Sequence, residues 1–214
     1  MSSLVVNEIF YSIQGESSHM GRPCVFVRLA YCNLRCTYCD TEYAFSQGER
    51  MTLGEILSAV DSHRCSLVEV TGGEPLMQEG VYPLMTALCD RGHETLLETG
   101  GSLDISNVDP RVRRIVDFKC PSSGMAHKNL WANVGCLTST DEVKFVIGDR
   151  EDFEWSVQRI DEHGIDRRCP ILMSVVFGVL QPLELAQWIL ERRLNVRLQL
   201  QIHKYIWEPE TRGV

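Results

Sequence analysis

Short apolar runs alternate with amphipathic helix patterns along this chain, and the alternation strongly constrains its fold. Several runs are almost continuously apolar and rich in β-branched residues, as expected for strands of a parallel sheet covered on both faces. The predicted strands span residues 25–30, 67–71, 94–99, 115–119, 142–147, 171–176 and 196–202. The predicted helices span residues 53–63, 76–91, 151–163 and 182–193. This order predicts an α/β fold with a parallel sheet, while spacing alone leaves open a doubly wound sheet or a partial barrel.

Size and charge narrow the functional class. A chain of 214 residues is expected to form a single domain, residues 1–214, with a sizeable core. Its formal charge of −8, from 21 basic and 29 acidic residues, argues against binding nucleic acid and favours a small-molecule substrate. No apolar run is long enough to cross a membrane, and residues 1–10 lack the pattern of a secretory signal. We therefore expect a cytoplasmic protein whose nine cysteines stay reduced.

Three of these cysteines form a Cys-x3-Cys-x2-Cys array directly after the first predicted strand. They are Cys32, Cys36 and Cys39, and the next cysteine is Cys65. Structural zinc sites and electron carriers normally use four protein ligands, so three thiolates would leave an open metal position. A zinc knuckle completed by His19 or His63 remains an alternative, as does a group of buried thiols. The other six cysteines are scattered singly and are expected to serve as small apolar packing residues.

Other distinctive segments also follow predicted strands. Thr-Gly-Gly-Glu-Pro occupies residues 71–75, Glu-Thr-Gly-Gly residues 98–101, and Cys-Pro-Ser-Ser-Gly residues 120–124. Reactive groups in parallel α/β folds gather at the carboxyl ends of the strands. The sequence therefore predicts that these segments and the cysteine array share one site.

The cysteine array is the signature of the radical S-adenosylmethionine superfamily. The resemblance narrows with Phe-Tyr-Ser-Ile-Gln-Gly-Glu at residues 10–16 and Cys-Asp-Thr at residues 39–41. Residues 21–29, 71–75 and 201–205 fit the same family. Together they resemble the 7-carboxy-7-deazaguanine synthase family over essentially the whole chain. The resemblance implies an incomplete TIM-like barrel of mostly parallel strands, the radical S-adenosylmethionine core.

The resemblance also implies an activity, which is the conversion of 6-carboxy-5,6,7,8-tetrahydropterin to 7-carboxy-7-deazaguanine with loss of ammonia, in queuosine or deazapurine biosynthesis. It implies one 4Fe-4S cluster, S-adenosylmethionine and Mg²⁺ as cofactors, a flavodoxin-like electron donor and a homodimer. Two rivals remain, an activase that installs a glycyl radical on a partner protein and a non-catalytic zinc or iron–sulfur module.

Site residues follow from the same resemblance. Cys32, Cys36 and Cys39 would hold the cluster, and Thr41 would bind Mg²⁺. The residues implied for S-adenosylmethionine are Tyr38, Cys39, Asp40, Gly73, Glu74, Ser122 and Ser123. Those implied for the pterin are Ile13, Gln14, Gly15, Glu16, Arg28 and Thr71.

Several of these residues have plain structural alternatives. Tyr38 could pack over the cysteine loop, and Asp40 and Thr41 could satisfy loop amides. The segments at 71–75 and 120–124 could be simple turns.

Further expectations concern charged residues and the tail. Arg28 lies within an apolar strand, so it should have a carboxylate partner, either the substrate or a residue such as Glu69 or Glu98. Lys144 and His203 could reach the site or belong to the core or a dimer contact. Val214 is expected to lie outside the site.

Overall fold

The computed structural model describes residues 3–214. Its strands are β1 (Ser3–Ile13), β2 (Pro23–Leu29), β3 (Glu49–Thr52), β4 (Leu67–Gly72), β5 (Glu94–Thr99), β6 (Arg113–Asp117), β7 (Glu142–Ile147), β8 (Ile171–Val175) and β9 (Arg197–Gln199). Its α-helices are α1 (Leu53–Ser62), α2 (Val81–Asp90), α3 (Arg150–His163), α4 (Pro182–Arg192) and α5 (His203–Ile206). Short 3-10 turns connect several of these elements.

All nine strands lie in one sheet in the order β3-β1-β2-β4-β5-β6-β7-β8-β9. β1 pairs antiparallel with both β2 and β3, and every pairing from β2 through β9 is parallel. Within residues 3–214 no pairing joins β3 to β9, so the sheet stays open. The expected α/β class, with a mostly parallel and incompletely closed sheet, is confirmed.

Helix boundaries agree with local sequence signals. α1 starts with a capping box in which Thr52 and Glu55 bond each other's backbone amides. α3 is capped by Asp149 and ends at Gly164, whose φ of 60° provides the left-handed conformation common after helices. Burial of one face of each helix against the sheet contributes the large core, whose fully buried side chains include Phe118, Phe145 and Phe153.

The strand and helix predictions differ from the structure at β1, at β3, at the start of α2 and at the end of β9. β1 and β3 were not expected from the apolar runs. The predicted helix over residues 76–91 begins only at Val81, because the Gln78 side chain bonds the backbone of Val5 and Ala30 and holds the preceding turn. The predicted strand over 196–202 shortens to β9, since the chain beyond Gln199 turns towards the loop that follows β1.

The concave face of the sheet changes character along each strand. Near the amino ends, Leu67, Leu96 and Ile115 pack with Phe26 in a small apolar cluster. Because alternate residues of a strand share one face, the residue two positions further on points the same way. Those next residues are Glu69, Glu98, Asp117 and Arg28, and all of them line one cavity. The fold thus places charge at the carboxyl ends of consecutive parallel strands.

No helix among the described residues has the length and apolar character needed to cross a bilayer.

Candidate active site

A cavity of about 980 Å³ opens at the carboxyl ends of the parallel strands. It collects most of the residues expected from the sequence, which are Ile13, Gln14, Gly15, Glu16, Arg28, Cys32, Cys36, Tyr38, Cys39, Asp40, Thr41, Thr71 and Gly73. The cysteine array and the Gln-Gly-Glu segment therefore face a shared space, although they come from different loops.

Three expected cofactor contacts do not line this cavity. Glu74 is fully buried, and its carboxylate accepts hydrogen bonds from Thr99 Oγ1 and the Gly100 backbone N–H. Ser123 is also fully buried and donates to the Cys120 carbonyl at 2.6 Å. Ser122 donates its hydroxyl to Asp152. These three side chains, expected to touch S-adenosylmethionine, are instead engaged within the protein: Glu74 and Ser122 bond other segments, and Ser123 bonds its own turn. Their contact with S-adenosylmethionine stays a prediction.

The cysteine loop holds three free thiols at the rim of the cavity. Cys32, Cys36 and Cys39 are all partly exposed, and the Leu34 N–H points to Cys32 Sγ at 3.4 Å. Burial raises the pKa of each thiol above its ordinary value. Without a metal these cysteines are therefore neutral thiols rather than thiolates at neutral pH.

Gly73 sets the position of the cysteine loop relative to β4. A Cβ atom on Gly73 would lie 2.2 Å from the Tyr31 carbonyl oxygen and 2.9 Å from Cys32 Cβ. Only glycine allows this close approach, so Gly73 is needed for the loop that carries the thiols to pack against the end of β4. Tyr31 itself has a φ of 76°, a conformation that a non-glycine residue adopts at a cost of about 1 kcal/mol.

The histidines suggested for a zinc knuckle lie elsewhere. His19 is buried beside Arg22, with Nδ1 2.6 Å from the Arg22 guanidinium, and His63 stacks on Tyr11 with ring centroids 5.9 Å apart. Neither side chain lines the cavity. Among the residues that the structure describes, no three His, Cys, Asp or Glu side chains converge closely enough for a single metal ion. The geometry therefore does not provide the predicted zinc alternative.

Asp40 and Thr41 form a polar corner next to Cys39. Thr41 donates its hydroxyl to Asp40 Oδ1 at 2.9 Å, and Lys204 Nζ lies 2.7 Å from Asp40 Oδ2. Burial alone would raise the pKa of Asp40, but Lys204 and these hydrogen bonds outweigh it and lower the pKa below its usual range. Asp40 is therefore ionised, and the Thr41 oxygen keeps its lone pairs free.

Tyr38, between the last two cysteines, lines the same cavity. Its hydroxyl lies 3.5 Å from the Val146 carbonyl oxygen, and burial raises the pKa of the phenol above its ordinary value. The ring thus presents a neutral aromatic surface next to Cys36 and Cys39.

Arg28 has a different partner from those expected. Its Nε donates a hydrogen bond of 2.8 Å to Glu8 Oε1 on the neighbouring strand β1. The partner is therefore Glu8, and not Glu69 or Glu98. Tyr43 donates to the same Glu8 oxygen at 3.0 Å. The Arg28 terminal nitrogens donate no hydrogen bond to residues 3–214, so the outer end of the fork is available to a ligand in the cavity.

The floor of the cavity is an acidic cluster organised around Lys144. Its ammonium contacts Glu16 at 2.9 Å, Glu98 at a shorter distance, and Asp117 at 3.3 Å. Burial lowers the pKa of Lys144, but the three carboxylates outweigh it and raise the pKa well above its ordinary value. Burial likewise raises the pKa of Glu16, while Lys144 and Gln201 lower it to about 2. Lys144 and Glu16 are therefore both charged at neutral pH.

Asp117 and Glu69 differ from the other acids of this floor. Asp117 contacts Lys119 and Lys144 through Oδ2, whereas its buried Oδ1 has no hydrogen-bond partner among residues 3–214. Glu69 is only 2% exposed and has no cationic side chain within ion-pair distance in the described part of the chain. Its partner is the side-chain amide of Gln14. Burial raises the pKa of Glu69 well above its ordinary value, and the carboxylates of Glu98 and Glu16 raise it further.

The last part of the chain closes one side of the cavity. Gln201 Nε2 donates to Glu16 at 2.8 Å, and the Ile202 N–H donates to the Gly15 carbonyl at 3.0 Å. A Cβ atom on Gly15 would lie 2.0 Å from His203 Nδ1, so glycine is required for this contact. Residues 209–214 also line the cavity, and the Arg212 guanidinium lies 3.8 Å from the Tyr43 ring centroid. Val214, which was expected to lie outside the site, is thus among the residues that line the cavity.

Sequence reasoning missed the acidic floor of the cavity as a unit. Glu69, Glu98, Asp117, Lys119 and Lys144 all line the cavity, yet only some had been considered, and only singly. The signal that could have found them is a charged residue inside an otherwise apolar parallel strand. The same signal at the same strand end, repeated on β4, β5, β6 and β7, marks a shared polar surface.

Comparison with known proteins agrees with this geometry. Residues 27–183 match the family model described as the Radical SAM superfamily. A 7-carboxy-7-deazaguanine synthase from Chlorobaculum tepidum is 51% identical over 214 residues, covering 99% of this chain and 97% of the relative. One from Koribacter versatilis is 44% identical over 227 residues, covering 98% of this chain and 99% of the relative.

Solved structures support the fold. The crystal structure of QueE from Escherichia coli superposes with a TM-score of 0.76 at 21% identity, covering 92% of each chain. The expected radical S-adenosylmethionine core is thus confirmed at the level of the fold, and the relatives add the narrower assignment. The chain belongs to the radical S-adenosylmethionine superfamily and, within it, to the 7-carboxy-7-deazaguanine synthase family.

Proposed function

We propose that this protein converts 6-carboxy-5,6,7,8-tetrahydropterin to 7-carboxy-7-deazaguanine with loss of ammonia. The observation that carries the proposal is the meeting of three free thiols and the Gln-Gly-Glu loop in one cavity. The thiols fit a metal cluster with one open position, and the loop and Arg28 fit a ligand that carries amide-like and carboxylate groups. The family of its relatives supports the same reaction.

The residues present fit a 4Fe-4S cluster and S-adenosylmethionine. Cys32, Cys36 and Cys39 would each hold one iron, and none of them is consumed by a disulfide. The orphaned Asp117 Oδ1 needs a hydrogen-bond donor, which the amino or hydroxyl groups of S-adenosylmethionine would provide. When bound, the cluster and S-adenosylmethionine would supply the radical chemistry that starts the reaction at carbon 6 of the pterin.

The chain's own residues bind and orient the substrate. The outer end of the Arg28 guanidinium would receive the pterin carboxylate, and its fixed Nε contact with Glu8 holds the fork in place. Ile13, Gln14, Gly15, Glu16 and Thr71 would line the pterin ring. Gln14 is itself held, since its Oε1 accepts the Glu16 N–H at 2.6 Å and its Nε2 donates to Glu69.

Thr41 would bind Mg²⁺ through its hydroxyl oxygen. Mg²⁺ keeps several waters and needs few protein ligands, so a single neutral oxygen next to an ionised Asp40 suits it. Arg28 is close enough to Asp40 for its charge to help lower the pKa of that carboxyl, so this corner lies near the guanidinium proposed for the substrate carboxylate. Lys204 would hold Asp40 in place at this corner.

The wider setting follows from the same proposal. Residues 1–214 act as one domain, supported by the single sheet of the described residues. The nine free cysteines, none of them in a disulfide, support a reducing, cytoplasmic compartment. A flavodoxin-like protein delivers the electron, and two chains form a homodimer.

Anaerobic turnover tests the proposed function. Protein with its iron–sulfur cluster reconstituted is incubated with S-adenosylmethionine, dithionite and the pterin, with and without Mg²⁺, and products are identified by mass spectrometry. We expect 7-carboxy-7-deazaguanine and ammonia, with faster turnover when Mg²⁺ is present. Conversion without any partner protein excludes the glycyl-radical activase. Unchanged pterin under every condition would contradict the proposal.

A further inference from the structure

One acid of the cavity floor is not explained by substrate binding or cofactor binding. Glu69 lies on β4 at the concave face, is 2% exposed and lines the cavity. Its Oε2 accepts a hydrogen bond from Gln14 Nε2, and no other side chain of residues 3–214 bonds it. An ionised carboxylate in such a place would require a cation or several donors.

The cations nearby are committed to other acids. Lys144 is shared among Glu16, Glu98 and Asp117, and Lys119 contacts Asp117 at 2.9 Å. On the adjacent strand β2, Arg28 is paired with Glu8 at 2.8 Å. Glu69 thus has carboxylates for neighbours and no ammonium or guanidinium of its own in the described chain.

The charges around Glu69 therefore favour the protonated carboxyl. The groups that face it are Glu16 from the loop after β1, Glu98 from β5, Lys144 from β7 and Arg28 from β2. Each of the two neighbouring carboxylates disfavours a further negative charge, and burial removes the water that would stabilise one. A neutral carboxyl that faces a reaction cavity can donate a proton, as acids in apolar or acidic sites do in other enzymes.

The proposed reaction needs such a donor. Ammonia can leave only if the carbon–nitrogen bond breaks with its electron pair on nitrogen and that nitrogen gains a proton. We propose that Glu69 is the general acid of this step, giving its carboxyl proton to the nitrogen that leaves as ammonia. The substrate ring releases a proton to solvent as it becomes aromatic, and the Glu69 carboxylate takes up a proton from solvent when the product departs, so protons balance and no oxidant or reductant is consumed.

This inference rests on the proposed function, and it separates from that function in one measurable way. Hydrogen abstraction from the pterin does not require Glu69, whereas ammonia release does. A defect confined to the second step identifies the general acid, while a wild-type protein that never converts the pterin would remove the proposed function itself.

The matched variants are Glu69→Gln, Glu69→Asp and Glu94→Gln. Glutamine keeps the acceptor oxygen for Gln14 and the neutral charge but cannot give up a proton of comparable acidity. Aspartate keeps the acid on a shorter side chain. Glu94 lies on β5, next to Leu67 of β4, outside the cavity, so its glutamine variant controls for removing a carboxyl from the sheet.

The experiment measures three quantities for each variant. They are pterin affinity by calorimetry, transfer of deuterium from carbon 6 of labelled pterin to the deoxyadenosyl group, and the rate of ammonia release across pH. For Glu69→Gln we expect affinity and deuterium transfer within about twofold of wild type. Ammonia release should fall by about 10²-fold or more, the usual contribution of a general acid. Glu69→Asp should restore part of the rate, and Glu94→Gln should behave like wild type.

Other outcomes would overturn the proposal. Wild-type ammonia release by Glu69→Gln would show that no proton from this residue is needed. A loss of pterin affinity equal to the loss of rate would make Glu69 a binding residue instead. If Glu69→Gln does not fold, the rate of ammonia release by Glu69→Asp is measured across pH instead. A shift in the pH at which this rate falls on the alkaline side, relative to wild type, supports the proposal, and an unshifted pH dependence overturns it.

Discussion

Two groups of buried charges lie on the same sheet. In one group every carboxylate oxygen has a partner within the protein, and in the other group one oxygen has none among the described residues. At the start of β6, Arg114 and Asp141 form a closed pair with an Nη2–Oδ2 distance of 2.6 Å and an Nε–Oδ1 distance of 3.0 Å. Asp141 also accepts from the Thr138 and Arg114 backbone amides. At the other end of the same strand, Asp117 leaves Oδ1 without a partner in residues 3–214.

The difference distinguishes a structural charge from a functional one. The Arg114–Asp141 pair needs nothing from outside the chain, since each polar atom of the carboxylate has a donor. The cavity floor, by contrast, has more acids than bases and an acceptor with no donor. Buried polar groups in native proteins are normally satisfied, so the exceptions point to where a ligand completes the structure.

Breaking the closed pair should have the largest effect on stability. Replacing Arg114 by methionine leaves the Asp141 carboxylate buried without its cation, which costs about 3–5 kcal/mol. We expect urea unfolding to show this loss at an unchanged slope. Turnover per folded molecule should remain at the wild-type value, because Arg114 does not line the cavity.

A control variant tests whether the unpaired Asp141 carboxylate causes the loss of stability in Arg114→Met. Replacing Asp141 by leucine in the Arg114→Met background removes the stranded charge and should recover part of the lost stability. A double variant no more stable than the single one would show that packing, rather than charge, holds this end of the sheet.

Removing the central cation of the cavity should have a smaller effect on stability and a large one on turnover. The side chains of Glu16 and Glu98 are 17% and 27% exposed, so water can partly replace Lys144. For Lys144→Met we expect a loss of about 1–3 kcal/mol by urea unfolding. Pterin turnover should fall by about 10²-fold, because the acids that line the substrate pocket are no longer held.

Lys128 provides the control for Lys144, since it is exposed and lies outside the cavity. Lys128→Met should change neither measurement. Equal turnover of the Lys144 and Lys128 variants would mean that the acidic floor does not depend on its central ammonium.

The two regions should also respond to pH in opposite directions. Burial raises the pKa of Asp141, but its bonds with Arg114 outweigh burial and lower the pKa. The stability that Asp141 contributes is therefore present above about pH 4 and is lost as pH falls through its folded-state pKa. The pKa of Glu69 is raised, so its contribution is present in acid and is lost as pH rises above about 4.3, its unfolded value.

Urea unfolding of wild type and Glu69→Gln from pH 5 to 8 measures the second effect. The stability of wild type relative to the variant should fall as pH rises, by at most about 1.4 kcal/mol per pH unit for one proton. Parallel stability curves would contradict a protonated Glu69 in the folded state.

Asp117→Asn should have the smallest effect on stability among these changes and should weaken ligand binding. The amide keeps the shape of the side chain, and the adjacent Lys144 still contacts Glu16 and Glu98. We therefore expect the free energy of unfolding in urea to fall by about 1 kcal/mol. Affinity for S-adenosylmethionine, measured by calorimetry on the reconstituted protein, should fall about tenfold because a charged acceptor is lost. Unchanged affinity would remove Asp117 from the cofactor site.

Local signals in the sequence predicted the regular part of this fold well. The capping box at Thr52 and the glycine at 164 mark the start of α1 and the end of α3 because caps act within a few residues. The start of α2 could not be read in this way. It depends on Gln78 bonding the backbone of β1, which lies more than 70 residues away in the chain.

The site was predictable only where a motif brought its residues together. The cysteine array was found from its spacing and the Gln-Gly-Glu loop from the family resemblance, and both line the cavity. The role of Glu74 in joining two loops was not visible, because Thr99 and Gly100 meet it only after folding. Glu69 was missed as a cavity acid for the same reason, since its unusual state depends on acids from β5 and the loop after β1.

The central claim is that three thiolates hold a four-iron cluster whose remaining iron is open to S-adenosylmethionine. Electron paramagnetic resonance of the reduced, reconstituted protein tests it most directly. We predict about four irons per chain and a spectrum that shifts when S-adenosylmethionine is added, with both features lost in Cys36→Ala. A cluster spectrum that saturating S-adenosylmethionine leaves unchanged would mean that the fourth position is already occupied, and the account would be wrong.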